Sequence, residues 1–108
     1  MASSENERRA SRRLKIAVPI ELCTEEGDSP IRGATSDLSL SGCYIETLFP
    51  FPAGTKLEIT LRLESTIVVT ATAVTCDPQV GNGIRFNRML PEDFEELRGF
   101  LEAADKKE

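Results

Sequence analysis

The sequence contains no histidine and no tryptophan, and has one tyrosine and three cysteines. Without histidine the commonest general base is missing, and with it Ser-His and Cys-His nucleophile arrangements. Ser41-Gly42-Cys43 is not a nucleophile elbow, because the pattern around it is not GxSxG. Paired carboxylates occur only in an acidic turn and in the last helix, where they read as solvated faces. An enzyme is therefore not expected. Cys23, Cys43 and Cys76 are widely spaced, odd in number and form no CxxC pair. A zinc site would have to use carboxylates or all three thiols, so no metal or cofactor is expected. The cysteines read as reduced, mostly buried thiols of a cytoplasmic protein. No run approaches the ~18 apolar residues of a membrane span. Ser11-Arg12-Arg13-Leu14-Lys15 is similar to part of a twin-arginine export signal. Pro19 and Glu21 interrupt the short stretch after it and no small-residue cleavage site follows, which argues against export.

Charge is unevenly distributed. The net value is −5. The first fifteen residues carry Arg8, Arg9, Arg12, Arg13 and Lys15 against Glu5 and Glu7, a balance of +3, leaving −8 on the rest. So acidic a body repels a long nucleic-acid polyanion. A small barrel binding single-stranded nucleic acid also needs stacking aromatics in a basic groove, which this chain lacks. A local cluster of arginine forks can still grip a small dianion.

Along the chain, residues 1–7 are small and polar, and are expected to form a disordered tail. Residues 8–108 read as a single domain that includes a flexible arginine arm over 8–13. Leu14, Ile16, Val18, Ile20 and Leu22 then alternate with Lys15, Ala17, Pro19 and Glu21, the pattern of a half-buried strand. Pro19 demands an unpaired edge or a bulge at its own nitrogen. Further strands are expected at Ile31 to Ser39, Cys43 to Leu48, Lys56 to Glu64, Thr66 to Cys76 and Ile84 to Phe86. The fifth has an ambiguous inward face, Ile67, Val69, Ala71 and Ala73 competing with Val68, Val74 and Cys76, as in a strand covered on both sides. From Pro91 the period becomes helical, with Phe94, Leu97, Leu101 and Ala104 on one face and Phe100 beside them. Pro91 suits the first helical position, and Glu92, Asp93 and Glu95 the positive end. Six short strands and one amphipathic helix predict a mainly β fold, a six-stranded antiparallel barrel with the C-terminal helix packed on it.

Two patterns carry chemistry. The first is Glu7-Arg8-Arg9 through Arg13, which contains RxxxR in two registers, Arg8 with Arg12 or Arg9 with Arg13. The second is Asp37-x-Ser39-x-x-Gly42. An arginine-rich tail alone is most often a solvated tail, and Asp-x-Ser with glycine alone is most often a turn. Together, in this order, and with Gly81-x-Gly83-Ile84-Arg85-Phe86 opening the last strand, they resemble the PilZ domain family, which in bacteria binds the second messenger cyclic di-GMP. The likeness runs from Glu7 to the final helix. It implies a six-stranded barrel with a terminal helix, in agreement with the elements read from periodicity.

The resemblance implies a ligand site formed by Arg8, Arg9, Arg13, Asp37, Ser39 and Gly42. The second RxxxR register is preferred, because the family's second arginine stands immediately before the first barrel strand. Arg9 and Arg13 would fork to phosphate or to a guanine O6/N7 edge. Asp37 would accept from guanine N1–H and N2–H₂, Ser39 would offer a hydroxyl, and Gly42 would leave room for backbone and base. Members with arginine in the position of Arg8 tend to hold two intercalated ligands, so either one or two copies per chain are expected, with Arg8 favouring two. The expected mode of action is ordering of the arginine arm on binding and signalling to an unidentified downstream protein. The alternative is a PilZ-like adaptor that binds a protein and no nucleotide, although such members have usually lost one of the two motifs.

Overall fold

A computed structural model describes residues 12–27 and 29–106. Its strands are β1 (Pro19–Thr24), β2 (Ile31–Leu38), β3 (Gly42–Glu46), β4 (Lys56–Arg62), β5 (Thr66–Asp77) and β6 (Gly81–Arg88), followed by one helix, α1 (Pro91–Lys106). The strands close into an antiparallel barrel in the order β1-β2-β3-β6-β5-β4. Closure pairs β1 with β4, so neither is left as an edge.

The core follows from the period of two. Ile20 and Leu22 of β1, Leu57, Ile59 and Leu61 of β4, and Ile67, Val69, Ala71 and Ala73 of β5 all point inward and are buried. Cys43 and Ile45 of β3 and Ile84 of β6 complete the wall. The ambiguity in β5 is thereby resolved. Val68, Val74 and Cys76 face outward and are exposed, so this strand is not covered on both sides. Cys76 and the half-buried Cys23 also correct the expectation of mostly buried thiols, since Cys43 is the buried one.

The helix leans on the barrel elsewhere. Leu97 and Leu101 are buried, with Phe100 and Ala104 packed against the core beside Ile16 and Leu63. Phe94, one turn before Leu97, lies at the rim and is partly exposed. The helix is held near the β4–β5 turn, where Glu96 accepts from the Ser65 hydroxyl and backbone N–H. No described helix is long and apolar enough to cross a membrane.

The run from Leu14 to Leu22 is not one strand, as its alternation suggested. Leu14 and Leu38 exchange two backbone hydrogen bonds of 2.9 Å as an isolated bridge, and ladder pairing resumes only at Pro19. Between them Thr35 intervenes: its buried hydroxyl accepts from Val18 N–H at 2.9 Å and donates to Ile16 C=O at 2.7 Å. A side chain thus satisfies backbone groups that a ladder would otherwise pair. Pro19 stands as the first residue of its strand, a position that tolerates a missing donor.

β3 stops two residues earlier than expected, leaving Leu48 and Phe49 exposed in the loop to β4. That loop is pinned by the fully buried Asn82. Its amide accepts from Phe51 N–H and donates to Phe51 C=O, each at 2.9 Å, and donates also to Thr75 C=O.

Candidate functional site

Asp37 owes its position to a β-bulge. The β2–β3 register shifts between Thr35 and Asp37, so Ser36 is the extra residue, and its hydroxyl donates to Tyr44 C=O. The bulge keeps Thr35 facing the core while Asp37 pairs with Tyr44 on the outer face. The Leu14–Leu38 bridge brings the N-terminal segment alongside, and Arg13 Nη1 donates to Asp37 Oδ1 at 2.7 Å. Both side chains remain partly accessible, at 48% and 27%. The two sequence patterns therefore meet in space through Arg13 and Asp37. Arg12 turns the other way, to Asp105 of α1 at 3.2 Å. Arg12 and Arg13, expected within a loose arm, are both ion-paired in this structure. Arg8 and Arg9 lie outside the described residues.

Ser39 sits inside the turn between β2 and β3. It is fully buried, and its hydroxyl accepts from Gly42 N–H (3.2 Å) and Ser41 N–H (3.1 Å). The same hydroxyl lies 3.2 Å from Gly42 C=O and 3.1 Å from the Ser41 hydroxyl. Ser39 N–H also donates to Gly42 C=O at 2.8 Å. Its role here is to close the tight turn between β2 and β3, and a ligand contact through it would have to displace one of these bonds. Gly42 is required by the barrel itself, since a Cβ there would stand 2.0 Å from Ile84 C=O. Gly81, at the other end of the same β3–β6 pair, meets the same limit against Ile45 C=O. Both glycines permit two backbones to approach where any side chain would collide.

Around this turn the chemistry is polar and open. Cys43 lies beneath Asp37 with its thiol pushed up to about 12, first by burial and then by the Asp37 charge, so it is an inert thiol. Tyr44 spans from β3 across Gly81 to β5 and donates to Asp77 Oδ2 at 2.7 Å. That bond to a carboxylate is the main reason its phenol is raised to about 12. On the opposite side of Gly42, in register on β6, stands the exposed Arg85. Nothing in the local sequence pattern could reveal that Gly42 is the cross-strand neighbour of Arg85.

Among the described residues, Asp37 stays partly accessible on the outer wall of the barrel. A cavity of about 560 Å³ lies between α1 and the barrel, over Ile16, Leu63 and Phe100 with Glu64, Glu95 and Glu96 at its rim. Another, of about 360 Å³, lies beside Glu21, which is flanked by Arg62 and Arg32. Neither touches the Arg13–Asp37 pair. No cluster of three or more metal-ligating side chains occurs among the described residues. The arrangement around Asp37 suits recognition of a flat, polar, anionic molecule on an exposed barrel wall: an acceptor, cationic forks and a stretch of bare backbone.

No curated protein matches the chain. Among solved structures it is similar to the Bacillus subtilis inhibitor of motility (MotI/DgrA), with 17% identity and a TM-score of 0.76. That match covers 89% of this chain but 50% of the other, so the chain spans about half the length of that protein. It is also similar to the PilZ domain of CeSA from a cellulose-synthesizing bacterium, with 22% identity, a TM-score of 0.68, and coverage of 87% of this chain and 99% of that one. At these identities the likeness speaks for the fold. The PilZ domain family model matches residues 7–103, and on that match, spanning both motifs and all six strands, the chain belongs to the PilZ domain family.

Proposed function

We propose that this protein is a receptor for cyclic di-GMP, a binding and signalling domain rather than an enzyme, working in the cytoplasm. The observation that carries the reading is the 2.7 Å contact between Arg13 and Asp37, which joins the two halves of the family's ligand-binding pattern on one open face. Asp37 has a second oxygen that can accept from guanine N1–H and N2–H₂, a donor pair that adenine does not present. Arg13 has further N–H groups for a phosphate or for the guanine O6/N7 edge.

In this reading Arg8 and Arg9 supply the remaining forks, and the ligand orders the arm over 8–13 by drawing them to join Arg13 at the Asp37–Gly42 turn. Ordering each further residue costs about 1–2 kcal/mol of backbone entropy, so several charge-assisted contacts must act together. Arg12, paired with Asp105, links the arm to the helix, and the rearranged surface is what a downstream protein reads. A third fork at Arg8 exceeds the needs of one ligand's two phosphates, which favours two ligands per chain, falling to one in Arg8→Leu.

Isothermal titration of the full chain with cyclic di-GMP, cyclic di-AMP and GTP at constant salt tests the function. Saturable binding selective for cyclic di-GMP is expected. Absence of binding would overturn the reading in favour of a protein-binding adaptor.

A further inference from the structure

Beside Gly42, the outer face of β4–β5–β6 carries a row of side chains outside the expected ligand set. In register across the barrel wall stand Lys56, Thr72, Arg85 and Gly42. Thr72 faces outward yet is only 6% exposed, because its neighbours fold over it. Its hydroxyl accepts from Asn87 Nδ2 at 2.6 Å and lies 3.4 Å from Lys56 Nζ. A shift in the β5–β6 register between Phe86 and Arg88 leaves Asn87 unpaired in the ladder and free to reach Thr72. Arg85 completes the group and has no hydrogen-bonding or ionic partner among the described residues.

Arg85 and Arg88, both on β6, hold no carboxylate among the described residues, whereas Arg12, Arg13, Arg62 and Arg98 each do. The row contains no acid. On the next row Glu58 stands beyond Thr70 from Arg88. Arg85 also has an unobstructed line to the candidate site, because its neighbour Gly42 has no side chain to intervene. Asp37 and Arg85 lie two strands and one outward-facing row apart, ~12 Å between Cα atoms by ordinary sheet spacings. One compact dinucleotide can bridge that span when both side chains reach inward over the glycine.

We propose that Arg85, supported by Lys56 over Thr72, forms a second anion subsite that takes the phosphate of a cyclic dinucleotide distal to Arg13 and Asp37. The inference rests on the receptor reading above and adds to it a fork on the rigid barrel wall. Unlike an arginine in the N-terminal arm, Arg85 is positioned by paired backbone on both sides, so no chain ordering offsets its contact.

The test is isothermal titration of the full chain with cyclic di-GMP, using wild type, Arg85→Ala, Arg85→Lys and, as a control for general charge, Arg32→Ala. Thermal melts come first. Arg85→Ala is expected to weaken binding about tenfold or more, the scale of one lost bidentate contact. It should also make the affinity less sensitive to salt. Arg85→Lys keeps the charge without the fork and should fall between. Arg32→Ala, at the other end of β2 beside Glu21, should stay within about twofold. Should Arg85→Ala fail to fold, Arg85→Gln keeps the stem over Thr72 and carries the same expected loss. Wild-type binding that Arg85→Ala leaves unchanged, or that Arg32→Ala weakens equally, overturns the subsite alone. No binding by wild type overturns the receptor reading and this inference together.

Discussion

Ser39→Ala separates two roles that the DxSxxG motif confounds. The hydroxyl of Ser39 is buried and accepts from two backbone N–H groups, those of Ser41 and Gly42. Ser41 is exposed, so its N–H can turn to water after the substitution. Gly42 is buried, and no side chain at its own position can help. Leaving one buried N–H unsatisfied costs about 1–3 kcal/mol. For a domain of this size each kcal/mol moves the midpoint by about 4–8 °C, so a loss on the order of 10 °C in Tm is expected without any ligand. The change should appear in urea melts as a lower midpoint with an unchanged slope. Ser41→Ala, whose hydroxyl only touches that of Ser39, should melt within a few tenths of a kcal/mol of wild type. The reasoning is refuted if Ser39→Ala melts with wild type while losing cyclic di-GMP binding, because the hydroxyl would then serve the ligand and not the turn.

Arg13→Ala should behave in the opposite way. Its partly exposed pair with Asp37 is worth no more than ~1 kcal/mol to the fold, so the ligand-free melt barely moves while most affinity is lost; a drop of several degrees would count against this, and Arg9→Ala should match it. Asp37→Ala should weaken cyclic di-GMP binding and relax discrimination against cyclic di-AMP, once circular dichroism shows the bulge-bearing sheet intact; equal loss for both nucleotides would remove Asp37 from guanine reading. Tyr44 is the sole tyrosine, so its phenolate absorbance titrates without overlap, and the midpoint should lie near 12, falling towards the ordinary value of about 10 in Asp77→Asn. Because the folded pKa is raised, the stabilisation from the Tyr44–Asp77 bond is complete below about pH 10 and is lost as pH rises through about 12. A midpoint near 10 in the folded protein would show the bond to be absent.

Much of the architecture was legible in the chain because it depends on local periodicity. Alternation at β4 and the 3.6-residue period after Pro91 each report one face of one element, and Leu57, Ile59, Leu61, Leu97 and Leu101 are buried as the pattern put them, with Phe94 the exception. The two motifs were legible for the same reason, as short strings of residue types, although Arg8 and Arg9 lie outside the described residues. Periodicity misled where a side chain took over backbone bonding, as Thr35 does between Leu14 and Pro19. It was silent where both faces of a strand looked apolar, as in β5, since what covers a strand is decided by elements remote in sequence.

The site divides along the same line. Residue types in order establish that an acceptor, arginines and a glycine are available. Which of two adjacent arginines meets Asp37 depends on the Leu14–Leu38 bridge, which turns Arg13 to the site and Arg12 to the helix. That Ser39 closes the β2–β3 turn with its own hydroxyl, and that β6 passes directly behind Gly42, is seen only in the folded barrel. Arg85 becomes a neighbour of Gly42 only through the pairing of β3 with β6, strands not adjacent in the chain. Barrel closure determines that pairing by leaving no edge unpaired, and it is a property of all six strands at once.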